Sequence, residues 1–285
     1  MQKHPLHIHN AIYDPIADLS TWRAMPTRSV DHLDPFLFLN HHGPQQYGPN
    51  NRGLPFGPHP HRGFETLTFV LQGDITHKDS VTGESVITAG GIQWMTAGSG
   101  LIHAEVSSEE FKRKGGMEEV IQLWMNLPAK YKMTAPKYTG LQKESIPAIS
   151  FDDGKGALHL ASGTFQGQQG PVDSMTGLFT STLDIKTGGA FYDVLPESSQ
   201  VLLYVVNGQV EVNGAMALEH QLVQLSLDGT ELSITASQDS QLVYCYGSPF
   251  DEPIAAHGPF VMNTAEEIRQ AIIDYQSGKL GRLDL

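Results

Sequence analysis

The stretch His59-Pro60-His61-Arg62-Gly63-Phe64-Glu65, answered later in the chain by His103-Ala104-Glu105, decides how this sequence is read. Successive side chains of an extended strand point to opposite faces, so His59 and His61 share one face, as do His103 and Glu105. Two such pairs on neighbouring strands bring three imidazoles and a carboxylate to one point inside a barrel. Without a partner these groups are costly to bury, because each needs a hydrogen bond or the loss of its charge. A divalent metal removes that difficulty, since neutral imidazole nitrogen and carboxylate oxygen are ordinary ligands of iron, nickel, copper and zinc. Taken singly, any of the 13 histidines reads as a satisfied surface or core residue. The metal reading rests on the pairing of HxH with HxE across glycine-rich turns. Pro60 favours an extended His59 and, having no N–H, places this strand end at a rim or edge. Parity alone also admits Glu65, on the His61 face with Gly63 between them.

Outward from this centre the chain falls into short apolar runs broken by glycine turns, the pattern of an all-β sandwich or barrel of jelly-roll type. Strands are expected at 36–39, 65–72, 74–79, 85–88, 93–96, 101–106 and 120–127. Residues 40–44, with His41 and His42, read as a turn, 45–58 as a loop long enough to line a site, and 107–116 as a solvent loop. Residues 128–150 read as a connection. Beyond them, strands are expected at 179–185, 190–195, 200–206, 208–212, 221–225, 232–235 and 242–246. The two halves rhyme: TFVLQGDIT at 68–76 resembles LYVVNGQVE at 203–211, a weak internal repeat. The second half has no HxH or HxE, and His159 and His220 stand alone, so the metal belongs to the first half. His7 and His9 form a pair with no second pair close behind it and are set aside. Two domains follow, 1–135 and 136–285. Asn263-Thr264-Ala265-Glu266, or alternatively Thr264 through Glu267, is a capping box opening a helix whose apolar face is Ile268, Ala271, Ile272 and Tyr275, with Gly278 as its stop.

Composition narrows the partners. Of 285 residues 17% are charged and 40% apolar, with 29 glycines and 17 prolines, which suits a β-rich protein with tight turns. A net charge of −13 argues against a nonspecific nucleic-acid surface. The single cysteine, Cys245, leaves no intrachain disulfide or cysteine zinc cluster and reads as a packed thiol. Neither a signal peptide nor a membrane-spanning run is evident, so a cytoplasmic protein is expected.

The strings HPHRGFET at 59–66, QWMTAGSGLIHAE at 93–105, QLWMNL at 122–127 and HGPFVMNT at 257–264 closely resemble the pirin family, a branch of the cupin superfamily, over essentially the whole chain. The resemblance implies two cupin-type jelly-roll β-barrels packed face to face with a short C-terminal helix. It implies one metal, generally Fe(2+), in the N-terminal barrel only. Carried over residue by residue, the ligands are His59, His61, His103 and Glu105; Glu65, the position of the usual cupin glutamate, then takes a supporting hydrogen-bonding role. Nickel, copper, manganese or zinc also suit that ligand set. The activity implied is of quercetin 2,3-dioxygenase type, on a flavonol or similar hydroxylated aromatic with O2, Glu105 serving as proton acceptor. The alternative is an iron-dependent regulatory protein acting through protein contacts without turnover, against which stand the charge of −13 and the brevity of Lys112-Arg113-Lys114. A structural metal with a closed ligand shell is the third reading. Trp94 and Met95 either line the pocket or pack the barrel. Phe64 is expected in the core, Phe56 at the entrance, Arg62 in an exterior salt bridge, and Gly98 and Gly100 in the turn before His103. A monomer is expected, without nucleic acid or membrane.

Overall fold

The computed structural model describes residues 1–81 and 83–283. Its regular structure is mostly β, with two α-helices among the described residues, Glu109–Lys114 and Ala265–Gln276. Contacts divide it into two units: Met1–Ile12, Trp22–Leu37 and Ser145–Pro249 form one, and Tyr13–Thr21, Phe38–Glu144 and Phe250–Leu285 the other. These are not the linear blocks 1–135 and 136–285. Strand Pro5–Asn10 pairs antiparallel with Gln221–Leu225, which joins the start of the chain to its second half. The tail from Phe250 groups with the histidine-bearing unit instead.

In the histidine-bearing unit one sheet orders its strands Phe56–His61, Leu101–Val106, Asp74–Asp79 and Gly83–Thr88. The other runs Lys137–Leu141, Ile92–Thr96, Phe64–Gln72, Gly116–Asn126 and then Phe36–Tyr47. Val70, Ile75, Ile87 and Val120 pack together in a core drawn from both sheets, as the two-sheet jelly roll requires. The remaining unit has the same two-sheet plan, with seven strands in one sheet and four in the other. Its interior is filled by Leu158, Phe179, Phe191, Leu203, Val223, Leu242 and Tyr244 and carries no histidine group among the described residues.

Several boundaries differ from expectation. Residues 40–47 continue the strand Phe36–Tyr47, so His41 and His42 are buried strand residues and not loop residues. Ser108 caps a short helix at Glu109–Lys114 where a loop was expected. Within the expected connection, Lys137–Leu141 is a strand on Ile92–Thr96. The C-terminal helix uses the later capping register, Thr264 with Glu267. Its inner face holds Ile268, Ala271 and Asp274, whereas Tyr275 is 40% exposed.

Candidate metal centre

Strand pairing builds the site. Phe56–His61 and Leu101–Val106 run antiparallel with His103 opposite His59 and Leu101 opposite His61. Parity then turns His59, His61 and His103 into one cluster, whose ligand nitrogens all lie within 4.8 Å of one another. Ring centroids are 4.8 Å apart for His59 and His61, 4.4 Å for His59 and His103, and 4.9 Å for His61 and His103. His61 and His103 are buried and His59 half-buried, so the cluster is open on the His59 side.

The hydrogen bonds fix which nitrogens are free. A carbonyl only accepts, so His59 Nδ1 donates to Gly57 O at 2.7 Å and His61 Nδ1 to Pro259 O at 3.3 Å. In the neutral rings both Nε2 atoms therefore carry lone pairs. His59 Nε2 stands 2.9 Å from His103 Nε2, a contact that needs a proton on His103 or an ion between the rings. His103 Nδ1 is buried with no partner among the described residues. Burial, then His59, pushes His61 down to about 3, while burial and the three neighbouring imidazoles push His103 well below the usual histidine range. Both are neutral at pH 7, the form that ligates.

The donor set fits a divalent metal. Two nitrogens each about 2.1 Å from an ion and at right angles around it stand about 3 Å apart, which matches the Nε2 pair. Glu105 is not part of this cluster. Its Oε2 accepts from Gln122 Nε2 at 2.6 Å, and its Oε1 accepts from Gln93 Nε2 and from Thr68 Oγ1. His103 and Glu105 keep regular pairing with Asp79 and His77; the register shift falls in the facing strand, where His59 stands opposite His103 and Phe56 opposite Glu105.

Glu65 is also elsewhere, because the parity that linked it to His61 ends at Gly63. There φ is +88° and the chain leaves one sheet for the other. Glu65 Oε1 accepts from Trp94 Nε1 at 3.0 Å and Thr96 Oγ1 at 2.6 Å, and burial raises its pKa. Trp94 is thus a buried hydrogen-bond donor, and Met95 is buried in an apolar cluster with Ala97 and Leu101. The aromatic groups beside the histidines are others: Trp124 lies 5.2 Å from the His61 ring, edge to face, and stacks on Phe38 at 4.5 Å. Phe64 is buried as expected, yet its ring meets His61 at 5.0 Å. Phe56 packs 5.1 Å from the His42 ring. Arg62 is no exterior residue: it is buried and paired with Asp274 at 2.9 Å. Gly98 and Gly100 take φ of +50° and +115° in the turn before His103, as expected.

Two features lay beyond the sequence reading. Gln93 and Gln122 fall inside strings quoted above, but nothing in their type announced that they would clamp Glu105. His77 stacks on Tyr138 at 3.9 Å, bonds Asp79 at 2.7 Å and lies 5.4 Å from His103. Four other histidines are engaged away from the cluster: His41 bonds Glu119 at 3.0 Å, His9 bonds Gln224, His159 bonds Asp184, and His220 stacks on Trp22. Cys245 is buried, and burial pushes its thiol up to about 12, so it is unreactive. No described helix is long and apolar enough to cross a membrane.

Comparisons with known proteins agree with this architecture. The pirin family model matches residues 18–125, and that of the pirin C-terminal cupin domain matches residues 181–281. A Pseudomonas aeruginosa protein named "putative quercetin 2,3-dioxygenase" is 39% identical over 251 residues, 88% of each chain. A pirin-like protein of Solanum lycopersicum is 36% identical, covering 91% of this chain and 86% of its own. Among solved structures, a quercetin 2,3-dioxygenase from Acinetobacter baumannii superposes over 100% of both chains with a TM-score of 0.94 and 35% identity. With both domain models matched and relatives this similar along most of its length, the chain belongs to the pirin family.

Proposed function

We propose that this protein is a metal-dependent dioxygenase acting on a flavonol or a similar hydroxylated aromatic, with His59, His61 and His103 holding the ion and Glu105 joining them as fourth ligand or taking the substrate proton. The observation that carries the reading is the convergence of three imidazoles whose hydrogen bonds leave nitrogen lone pairs free on a half-open side. The printed names of the Pseudomonas relative and the Acinetobacter structure support the substrate class.

An iron(II) ion held there supplies Lewis acidity toward a substrate hydroxyl and one-electron chemistry toward O2. The chain supplies the rest. Trp124 and Phe38, both partly exposed, offer a flat face beside His61 for a planar ring. Phe64 behind them keeps water from that side. Glu105, oriented by the Gln93 and Gln122 amides, accepts the proton that a phenolic substrate loses on binding. The test is aerobic assay of iron-reconstituted protein against a flavonol panel, following O2 uptake and substrate loss together. Stoichiometric consumption of both supports the reading; a protein that binds iron and consumes neither overturns it.

A further inference from the structure

His61 ends an edge strand: Phe56–His61 has a neighbour in its sheet on one side only, the strand Leu101–Val106. The C-terminal segment supplies the missing contacts. Pro259 O accepts from His61 Nδ1 at 3.3 Å, and Val261 N donates to Arg62 O at 3.0 Å in a short parallel bridge. Lys132, fully buried, ties the two together, donating from Nζ to Gly63 O at 2.8 Å, Asn126 Oδ1 at 2.7 Å and Val261 O at 3.1 Å. Arg62 donates from Nε to Ser99 O at 2.7 Å and from Nη1 to Asp274 Oδ2 at 2.9 Å. Asp274 is carried by the helix Ala265–Gln276, which docks through Ile268 and Ala271 on Phe260 and Met262. Gln270 and Lys279 also hold its carboxylate.

A buried guanidinium is tolerated only with its charge partner in place, and losing one member of such a pair leaves an uncompensated charge. Nothing in strand packing alone requires Arg62 to be buried one residue after a candidate ligand. We propose that the C-terminal segment is the positioning element of the metal centre: the Asp274–Arg62 pair seats the Pro259 carbonyl on His61 and so fixes that ring with its proton on Nδ1 and its lone pair on Nε2. Asp274 and Arg62 are positioning residues, acting through His61. Hydrogen bonds of this kind to a ligand histidine set its tautomer and orientation, and their loss typically weakens metal binding about 10–100-fold. The inference rests on reading the three histidines as a metal site.

Full-length Asp274→Ala, Asp274→Asn and Asp274→Glu test it, with Leu203→Ala in the apolar core of the other unit as a control for lost stability. Two readouts are taken. In metal-free protein, imidazole 15N shifts report the His61 tautomer; with cobalt(II) as probe, titration gives the affinity and the visible spectrum reports ligand geometry. The expected result is a fixed Nδ1–H tautomer in the parent chain that becomes mixed in Asp274→Ala and Asp274→Asn, cobalt binding about 10–100-fold weaker with an altered spectrum, and partial rescue by Asp274→Glu. Leu203→Ala lowers the melting temperature and leaves tautomer, affinity and spectrum unchanged. Asp274→Asn, close in shape to the native residue, is read the same way if Asp274→Ala fails to fold. Parental tautomer and parental cobalt affinity in both charge-removing variants overturn the proposal. A parent chain that binds no cobalt overturns the metal reading, and the tautomer response then decides the positioning of His61 independently.

Discussion

His61 gives its two ring nitrogens different tasks, one donating to the Pro259 carbonyl and one left with a lone pair inside the cluster. Removing the ring removes a proposed ligand without opening the main apolar cores, so His61→Ala is expected to lose stoichiometric iron while its far-UV circular dichroism stays that of a β protein; full iron retention by the purified variant contradicts the assignment. Glu105→Gln separates binding from proton transfer. The amide keeps the shape and one accepting oxygen, giving up one of the two glutamine bonds, and it cannot take a proton; iron is expected to remain and turnover to fall by roughly 10²–10⁴, the usual contribution of one general base, and kcat and metal content measured on one preparation decide it. His159 and His220 are held by Asp184 and Trp22 respectively. Alanine at either position is expected to leave metal content unchanged, which elemental analysis checks. Histidine spacing made the cluster legible, since HxH on an extended strand leaves little freedom. The clamp on Glu105 was not legible, because glutamines at 93 and 122 acquire that task only when three strands meet.

At the scale of elements, Gly63 determines where the histidine strand stops. Its φ is +88°, and a Cβ there falls 2.0 Å from Val261 O, a backbone atom that cannot swing away. Gly63→Ala is therefore expected to cost at least about 1–3 kcal/mol from the backbone conformation alone, with the clash in addition. Because the displaced residues adjoin Pro259, iron affinity falls with the melting temperature; thermal unfolding and metal titration of the same variant test this coupling. The turn also explains why strand parity failed for Glu65. A period of two holds only while the backbone stays extended, and two residues past His61 it does not. Arg62 was misplaced on the exterior for a related reason: its counter-charge, Asp274, lies 212 positions away in sequence.

Across the whole molecule, pH enters through a carboxyl group outside the histidine cluster. Glu118 is fully buried against the Gly73 backbone, and burial, then the Asp74 carboxylate, pushes it up to about 9 from an ordinary 4.5. The folded chain thus keeps a proton that the unfolded chain releases. Its stabilising contribution is complete below about 4.5 and is lost as pH rises toward 9. Glu118→Gln removes this dependence, so its advantage over the parent chain is expected to grow steadily between pH 5 and 9 in denaturant melts; parallel pH profiles of the two proteins exclude the effect. What the sequence determined by itself was local: strands from apolar runs between glycines, the helix from its cap, and histidines on one strand face from side-chain alternation, all set within a few residues by backbone geometry. The tertiary structure alone decided which sheet each strand joined, that the N-terminal strand pairs with Gln221–Leu225, that Glu105 is held by amides, and that the tail supports His61. Those are contacts between residues far apart in the chain, and they depend on the closing of sheets and the pairing of buried charges, which no local pattern encodes.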